Sequence, residues 1–259
     1  MLQANNVSLS RGGNLLLDCV SMSLESGELL MVLGPNGAGK STLLSCLSGA
    51  VHGDAGEILL EAKPLSAFPI ETLAKKRAVL TQQVTMVFNF TVEQVVSLGL
   101  APWSLGVKQA DELIQRTLMD VGLPNMQKRD YNSLSGGEQQ RAQLARVLVQ
   151  LLAGNDDLSG CYLLLDEPIA ALDLEQQQRV LRLLKTLSAK GLAVLCVIHD
   201  INLAALYGDR LVLLDNGRLM FQGKPADLTA KPYIESAYQA DLIRLHHAQM
   251  AVPQWQFQV

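Results

Sequence analysis

Glu28-Leu29-Leu30-Met31-Val32-Leu33-Gly34-Pro35-Asn36-Gly37-Ala38-Gly39-Lys40-Ser41-Thr42-Leu43-Leu44-Ser45-Cys46-Leu47 is the stretch that decides the fold. Glu28 to Leu33 is a short apolar run that ends in glycine, and Lys40 to Leu47 reads as a helix. The stretch is therefore a buried strand that feeds a helix through a glycine-rich loop. Gly34 to Ser41 fits G-x-x-x-x-G-K-[ST]. In that pattern glycines let backbone N–H groups turn inward around phosphate oxygens, with Lys40 on the outer phosphates and Ser41 on Mg²⁺. The helix starting near Lys40 adds its N-terminal dipole. The nucleotide-binding candidates are Gly34, Pro35, Asn36, Gly37, Ala38, Gly39, Lys40, Ser41 and Thr42.

Working outward, Asn6 to Leu9 and Leu15 to Leu24 read as strands of a small antiparallel layer around a Gly12-Gly13-Asn14 turn. Glu57 to Leu60 and Ala78 to Gln82 are further strands. Thr91 to Leu100 and Lys108 to Val121 have helical spacing, and residues 84–140 read as a helical insert. Glu138 to Leu152 is another helix. Strands at Tyr162–Leu165, Ala193–Ile198 and Arg210–Leu214 then alternate with helices at Leu174–Ser188 and Ile201–Tyr207. Asp215-Asn216-Gly217 turns the last strand into Arg218 to Phe221. The expectation is an α/β fold: a mostly parallel sheet with helices on both faces, a small antiparallel layer and a helical subdomain. Residues 1–83 and 141–225 form its core halves within one domain, and 226–259 a short mixed tail.

Composition narrows the class. The 259 residues are 49% hydrophobic and 18% charged, which suits a large core. A net charge of -4 argues against a nucleic-acid binder with a broad basic face. Apolar runs such as Leu192 to Ile198 are far shorter than the roughly 20 residues of a spanning helix. The first residues, Met1 to Asn5, lack the pattern of a signal peptide. The four scattered cysteines, Cys19, Cys46, Cys161 and Cys196, read as buried reduced thiols of a cytosolic protein. Aromatic residues make up 5% of the chain, and none precedes Phe68.

Three further motifs carry chemistry. Leu163-Leu164-Leu165-Asp166-Glu167 places Asp166 at a strand end, suited to hold Mg²⁺, and Glu167 one residue on, suited to act as general base for an attacking water. Leu134-Ser135-Gly136-Gly137-Glu138-Gln139-Gln140-Arg141 is a second glycine-rich helix start with anion-binding character. One loop already cradles a nucleotide, so the simplest use of Ser135, Gly136, Gly137 and Glu138 is the nucleotide of another chain. That predicts composite sites across a dimer. His199 follows an apolar strand and is placed to contact a terminal phosphate.

Taken together, these motifs resemble the ATP-binding subunits of ABC transporters over about residues 1–225. The resemblance identifies Gly34–Ser41 as Walker A, Gln82 as the Q-loop glutamine, Leu134–Gln140 as the signature, Asp166-Glu167 as the Walker B end, Ala171-Leu172-Asp173 as the D-loop and His199 as the H-loop. It implies a head-to-tail homodimer sandwiching two ATP molecules, with Asp173 acting across it. Gln82 would join Ser41 and Asp166 on Mg²⁺ and couple the site to the membrane subunit. It also implies two integral membrane permease subunits, a periplasmic binding protein upstream, no nucleic acid, and a peripheral place on the cytoplasmic face of the inner membrane. Phe88, Phe90 and Trp103 read as core residues or, by the resemblance, as part of the segment that would receive the permease.

A narrower likeness joins Ala78–Gln82, Phe88–Val96 and Gly99–Pro102 to ATPases of iron–siderophore, haem and cobalamin importers. Arg129-Asp130-Tyr131, Gln143–Leu148, His199–Tyr207, Ala153–Gly160 and Tyr238–Asp241 look most like the haem importers, which implies haem as cargo with ferric siderophore or cobalamin as alternatives. A soluble ABC ATPase of iron–sulfur assembly type is the reading from another class. Thr81 and Ile169 stand where the family often has proline and a hydroxyl residue. The adenine-stacking aromatic is absent; Leu9 and Arg11 occupy its region, so adenine is expected on an aliphatic or Arg11 surface. His246-His247 reads as a solvated pair rather than a haem ligand.

Overall fold

A computed structural model describes residues 1–81, 89–155 and 157–258. The chain begins with two alternating strands, β1 (Leu2–Arg11) and β2 (Asn14–Leu24), paired antiparallel around Gly12 and Gly13. Next come β3 (Leu29–Leu33), α1 (Lys40–Leu47), β4 (Ala55–Leu60), the two-residue β5 (Lys63–Pro64), α2 (Ile70–Lys76) and β6 (Arg77–Leu80). Helices α3 (Val92–Ser97), α4 (Val107–Asp120) and α5 (Gly136–Leu152) follow. The alternating part is β7 (Tyr162–Asp166), α6 (Leu174–Ser188), β8 (Ala193–Val197), α7 (Ile201–Tyr207), β9 (Arg210–Asp215) and β10 (Arg218–Gly223). Helix α8 (Tyr233–Tyr238) and a hairpin of β11 (Leu242–His246) and β12 (Pro253–Phe257) complete it.

Six strands form the central sheet in the order β10-β9-β3-β8-β7-β6, all neighbours parallel except β10. Strands β3, β7 and β8 are buried at every residue, as parallel strands covered on both faces must be. Period-2 side-chain alternation divides the core. Leu29, Met31, Leu33, Leu163 and Leu165 face the helices, whereas Leu30, Val32, Leu164 and Leu195 face α1 and the antiparallel sheet β2-β1-β4-β5. The carboxyl ends of β3, β7 and β8 therefore lie side by side, and the loops that leave them carry Gly34, Glu167 and His199.

The helical region follows the expected apolar spacing, with Leu113, Ile114, Thr117 and Leu118 of α4 buried. The expected helix over Thr91–Leu100 instead ends at Ser97 and tightens into a 3₁₀ turn over Leu98–Leu100. There the chain runs against α5: a Cβ at Gly99 would meet Arg146 O at 2.0 Å. Helix α5 is continuous from Gly136 to Leu152, so the expected boundary at residue 140 falls within a helix. Residues beyond 226 fold rather than trail. Asn202 of α7 donates to Trp255 O (3.0 Å) and accepts from Trp255 N (2.8 Å), which ties β12 to the sheet's helical face. Cys46, Cys161 and Cys196 are buried and Cys19 is exposed, because a positive φ at Cys19 turns it out of the alternation; all four are free thiols. Among the described residues no helix is long and apolar enough to cross a membrane.

Candidate functional site

The loop after β3 takes its shape from its glycines. Gly34 has φ +149°, and a Cβ there would lie 2.3 Å from Leu214 O. Gly39 caps α1 at φ +98°, with Leu16 O 2.6 Å from where a Cβ would be. No side chain caps α1, so no side-chain acceptor takes its first-turn N–H groups beside the cleft. Lys40 is 6% exposed, and its Nζ donates to Gly34 O (2.8 Å) and Pro35 O (2.9 Å), which tethers the ammonium to the start of the loop. Burial draws its pKa down, while the charges of Glu167 and Asp166 oppose the shift.

Asp166 ends β7 as a buried carboxylate that accepts a 3.2 Å hydrogen bond from Ser41 Oγ. Burial pushes its pKa up, and the Ser41 bond and the charges of Lys40 and His199 only partly offset this. A buried carboxylate beside a hydroxyl oxygen is a hard-oxygen pair that a divalent cation would satisfy, so these residues fit Mg²⁺. Glu167 follows at φ 52°, a left-handed backbone that turns its carboxylate out of the strand. Its Oε1 lies 2.6 Å from His199 Nε2, at the end of β8. Glu167 and His199 line a cleft of about 500 Å³ with Leu16 and Asn36 to Thr42.

The signature residues line a different cleft, also about 500 Å³, with Arg141, Ala171, Leu172, Asp173 and Gln176. Ser135 caps α5 through a capping box: Ser135 Oγ accepts from Glu138 N (3.3 Å), and Glu138 Oε2 accepts from Ser135 N and Oγ (both 2.8 Å). These bonds hold the Glu138 carboxyl below the usual range. Asp173 caps α6 by accepting from Gln176 N at 2.9 Å. Behind this cleft, Arg141 Nε and Gln176 Oε1 are buried without a hydrogen-bond partner among the described residues.

Other expectations divide. Gln82 and Phe88 lie outside the described residues. Trp103 is held inside its own chain: Nε1 donates to Gln150 O (2.8 Å) and Lys75 Nζ sits 5.0 Å from the ring centroid. Phe90 is half-buried against the helical core. Leu9 is 4% exposed and faces the core, and Arg11 is exposed but does not line the cleft; the aliphatic residue that does is Leu16. Ile169 is buried within the apolar core. His246 is exposed and His247 half-buried, and no group of three or more metal-ligating residues exists among the described residues. Sequence reasoning missed two contacts. The Gly34 N–H donates to the Tyr238 hydroxyl at 3.0 Å, so the tail reaches the phosphate loop. The Gln140 amide bridges α5 to the segment after β7. Only residue type could have flagged either, since each partner lies far along the chain.

Comparison with known proteins agrees with this geometry. The family described as ABC transporter matches residues 17–170. The hemin import ATP-binding protein HmuV of Enterobacter cloacae is 44% identical over 241 residues, covering 93% of this chain and 87% of the relative. That of Hahella chejuensis is 42% identical over 247 residues, covering 95% and 96%. Among solved structures, a bacterial ABC transporter cassette seen as a dimer superposes with TM-score 0.76 at 25% identity, covering 86% of this chain and 98% of that one. A metal-chelate type ABC transporter in an inward-facing conformation gives TM-score 0.78 at 22% identity over 98% and 96%, a likeness of fold. With the phosphate loop, the acidic strand end and the capped signature helix all in place, the chain belongs to the ABC transporter family as an ATP-binding ATPase subunit.

Proposed function

We propose that the chain hydrolyses ATP in a head-to-tail homodimer and thereby drives haem import through two integral membrane permease subunits, fed by a periplasmic haem-binding protein. One observation carries the dimer. The phosphate-loop cleft and the signature cleft are separate and share no lining residue, which supports a nucleotide gripped between the phosphate loop of one chain and the signature of another. Ser135, Gly136, Gly137 and Glu138 then face the partner's nucleotide, and Asp173 crosses with them. The haem assignment rests on the two named hemin import relatives, at 42% and 44% identity.

Within each site Asn36 to Thr42 bind the phosphates through backbone N–H groups and Lys40, on a loop whose start Gly34 and Pro35 shape. Ser41, Asp166 and Gln82 would hold Mg²⁺, which supplies charge neutralisation between phosphates. Glu167 orients a water and takes its proton as the water oxygen bonds to the terminal phosphorus and ADP departs. His199, 2.6 Å from Glu167, fixes that carboxylate and contacts the terminal phosphate. Adenine rests on Leu16. Placement on the cytoplasmic face of the inner membrane, with contact to the permease around Gln82, Phe88 and Phe90, completes the reading.

The test is reconstitution with the neighbouring permease in lipid vesicles. Glu167→Gln is expected to bind ATP and dimerise while turnover falls by about 10²–10⁴-fold. Wild-type turnover in that variant would remove Glu167 from its role. Stimulation of the ATPase by a siderophore-loaded or cobalamin-loaded binding protein, but not a haem-loaded one, would replace the cargo.

A further inference from the structure

Gln140 lies in the second turn of α5 and uses both ends of its side-chain amide outside that helix. Its Nε2 donates to Glu167 O at 2.6 Å, and its Oε1 accepts from Ala171 N at 3.2 Å. The amide thus spans the segment between β7 and α6, from the proposed base to the turn that carries Asp173. Glu167 needs such support. Its φ of 52° is a conformation that a residue with a side chain holds only when neighbouring contacts fix it. Its carbonyl also accepts from Ala170 N (3.3 Å), and its N–H donates to Val197 O (3.2 Å). Gln140 is the contact in this set that comes from the signature helix.

The same helix begins at the Ser135–Glu138 cap, which opens into the other cleft. We infer that Gln140 is a positioning residue that links the two clefts within one chain, transmitting the seating of α5 on a partner's nucleotide to the backbone of Glu167 beside its own. When α5 is drawn onto the partner's phosphates, the Gln140 amide moves with it. The Glu167 carbonyl and the Ala171 N–H follow, and the carboxylate, already 2.6 Å from His199, is carried with them towards the chain's own nucleotide. Each chain would then hydrolyse its own ATP only after gripping its partner's, which makes the two sites cooperative. This rests on the composite-site reading above.

The experiment measures ATP turnover against ATP concentration for the full chain, together with light scattering for the ATP-driven dimer in a Glu167→Gln background. Gln140→Leu removes both hydrogen bonds. It is expected to lower kcat by about tenfold or more, leave KM within about twofold, and bring the Hill coefficient down to about 1, with the ATP-driven dimer still formed. Gln140→Glu supplies a pH signature. Ionised, it turns a carboxylate oxygen onto the Glu167 carbonyl; protonated, it donates to that carbonyl and accepts from Ala171 N as the amide does. Its kcat relative to wild type is expected to recover as pH falls, which also serves if the leucine variant fails to fold. Unchanged kcat and Hill coefficient in Gln140→Leu, or a Gln140→Glu deficit that does not vary with pH, overturns the inference. Absence of any ATP-driven dimer in the Glu167→Gln chain would instead sink the composite-site reading, whatever Gln140 does.

Discussion

Two glycine-rich loops enter helices in this molecule, and they leave those helices in opposite states. Helix α1 starts at Gly39 with no side-chain cap, so its first-turn N–H groups depend on what enters the cleft. Helix α5 starts at Ser135 with a complete capping box, so the N–H groups of Ser135 and Glu138 are already satisfied within the chain. The first start also carries a buried lysine, and the second a carboxylate. The difference teaches that similar glycine patterns do different work. On the function proposed above, one loop supplies the primary grip on a phosphate, and the other is a self-stabilised surface that meets a phosphate already neutralised elsewhere.

Exchanging the two starts for inert ones should separate them most widely. Lys40→Ala is expected to abolish nucleotide binding by the single chain, measured by fluorescent-ATP titration. Ser135→Arg should leave that binding intact and remove turnover; equal loss of binding in both would erase the distinction. Asp166→Asn comes next. Burial raises the pKa of this carboxyl, so its charge at neutral pH costs stability. The sign follows: a raised folded-state pKa favours the fold below the ordinary carboxylate range, and that contribution is lost as pH rises through the raised value. The variant should therefore melt higher than wild type at pH 7, converge with it in acid, and lose Mg²⁺-dependent hydrolysis. A lower Tm at pH 7 would contradict this.

A smaller effect is expected at the base end of the first cleft. Leu16 would offer adenine an aliphatic surface, whereas an aromatic ring contributes about 1–3 kcal/mol per stacked base, whichever base it is. Leu16→Tyr should therefore tighten ATP and GTP alike, by about tenfold in competition binding. Unchanged affinity in that variant would sink the Leu16 assignment. The smallest change concerns the capping box. Ser135→Ala should cost about 1 kcal/mol, or about 2–4 °C in Tm for a chain of this size. Its pH course tests the mechanism. The Glu138 pKa is held down, so its contribution is present above the ordinary carboxylate range and lost as pH falls through the depressed value. The Tm gap between wild type and Glu138→Gln should therefore close in acid.

How much of this was legible in sequence varies by region. The β3–loop–α1 unit could be read because strand, glycines and lysine are contiguous, and α1 begins and ends as expected at Lys40 and Leu47. The Asn216-Gly217 turn was equally plain, since both residues need the positive φ they adopt. The adenine surface was harder. Strand β1 is irregular, with Asn6 at positive φ and register shifts between Ala4 and Ser10, so counting alternate residues does not reveal that Leu9 points inward. The sequence leaves Trp103 open between core and permease contact, because its partner, Gln150 O, belongs to a helix 47 residues on.

Chemistry written in consecutive residues needed no fold to be read: the phosphate loop, the Asp166-Glu167 pair and the Ser135–Glu138 cap are local because a few successive backbone angles and side chains make each of them. Partnership across the chain was decided only in three dimensions. Parallel pairing of β3, β8 and β7 brings Gly34, His199 and Glu167 to one edge, and packing of α5 brings Gln140 to Glu167. The two clefts open apart for the same reason: sheet order and helix packing, set by burial of apolar faces along the whole chain, place residues that no local pattern relates.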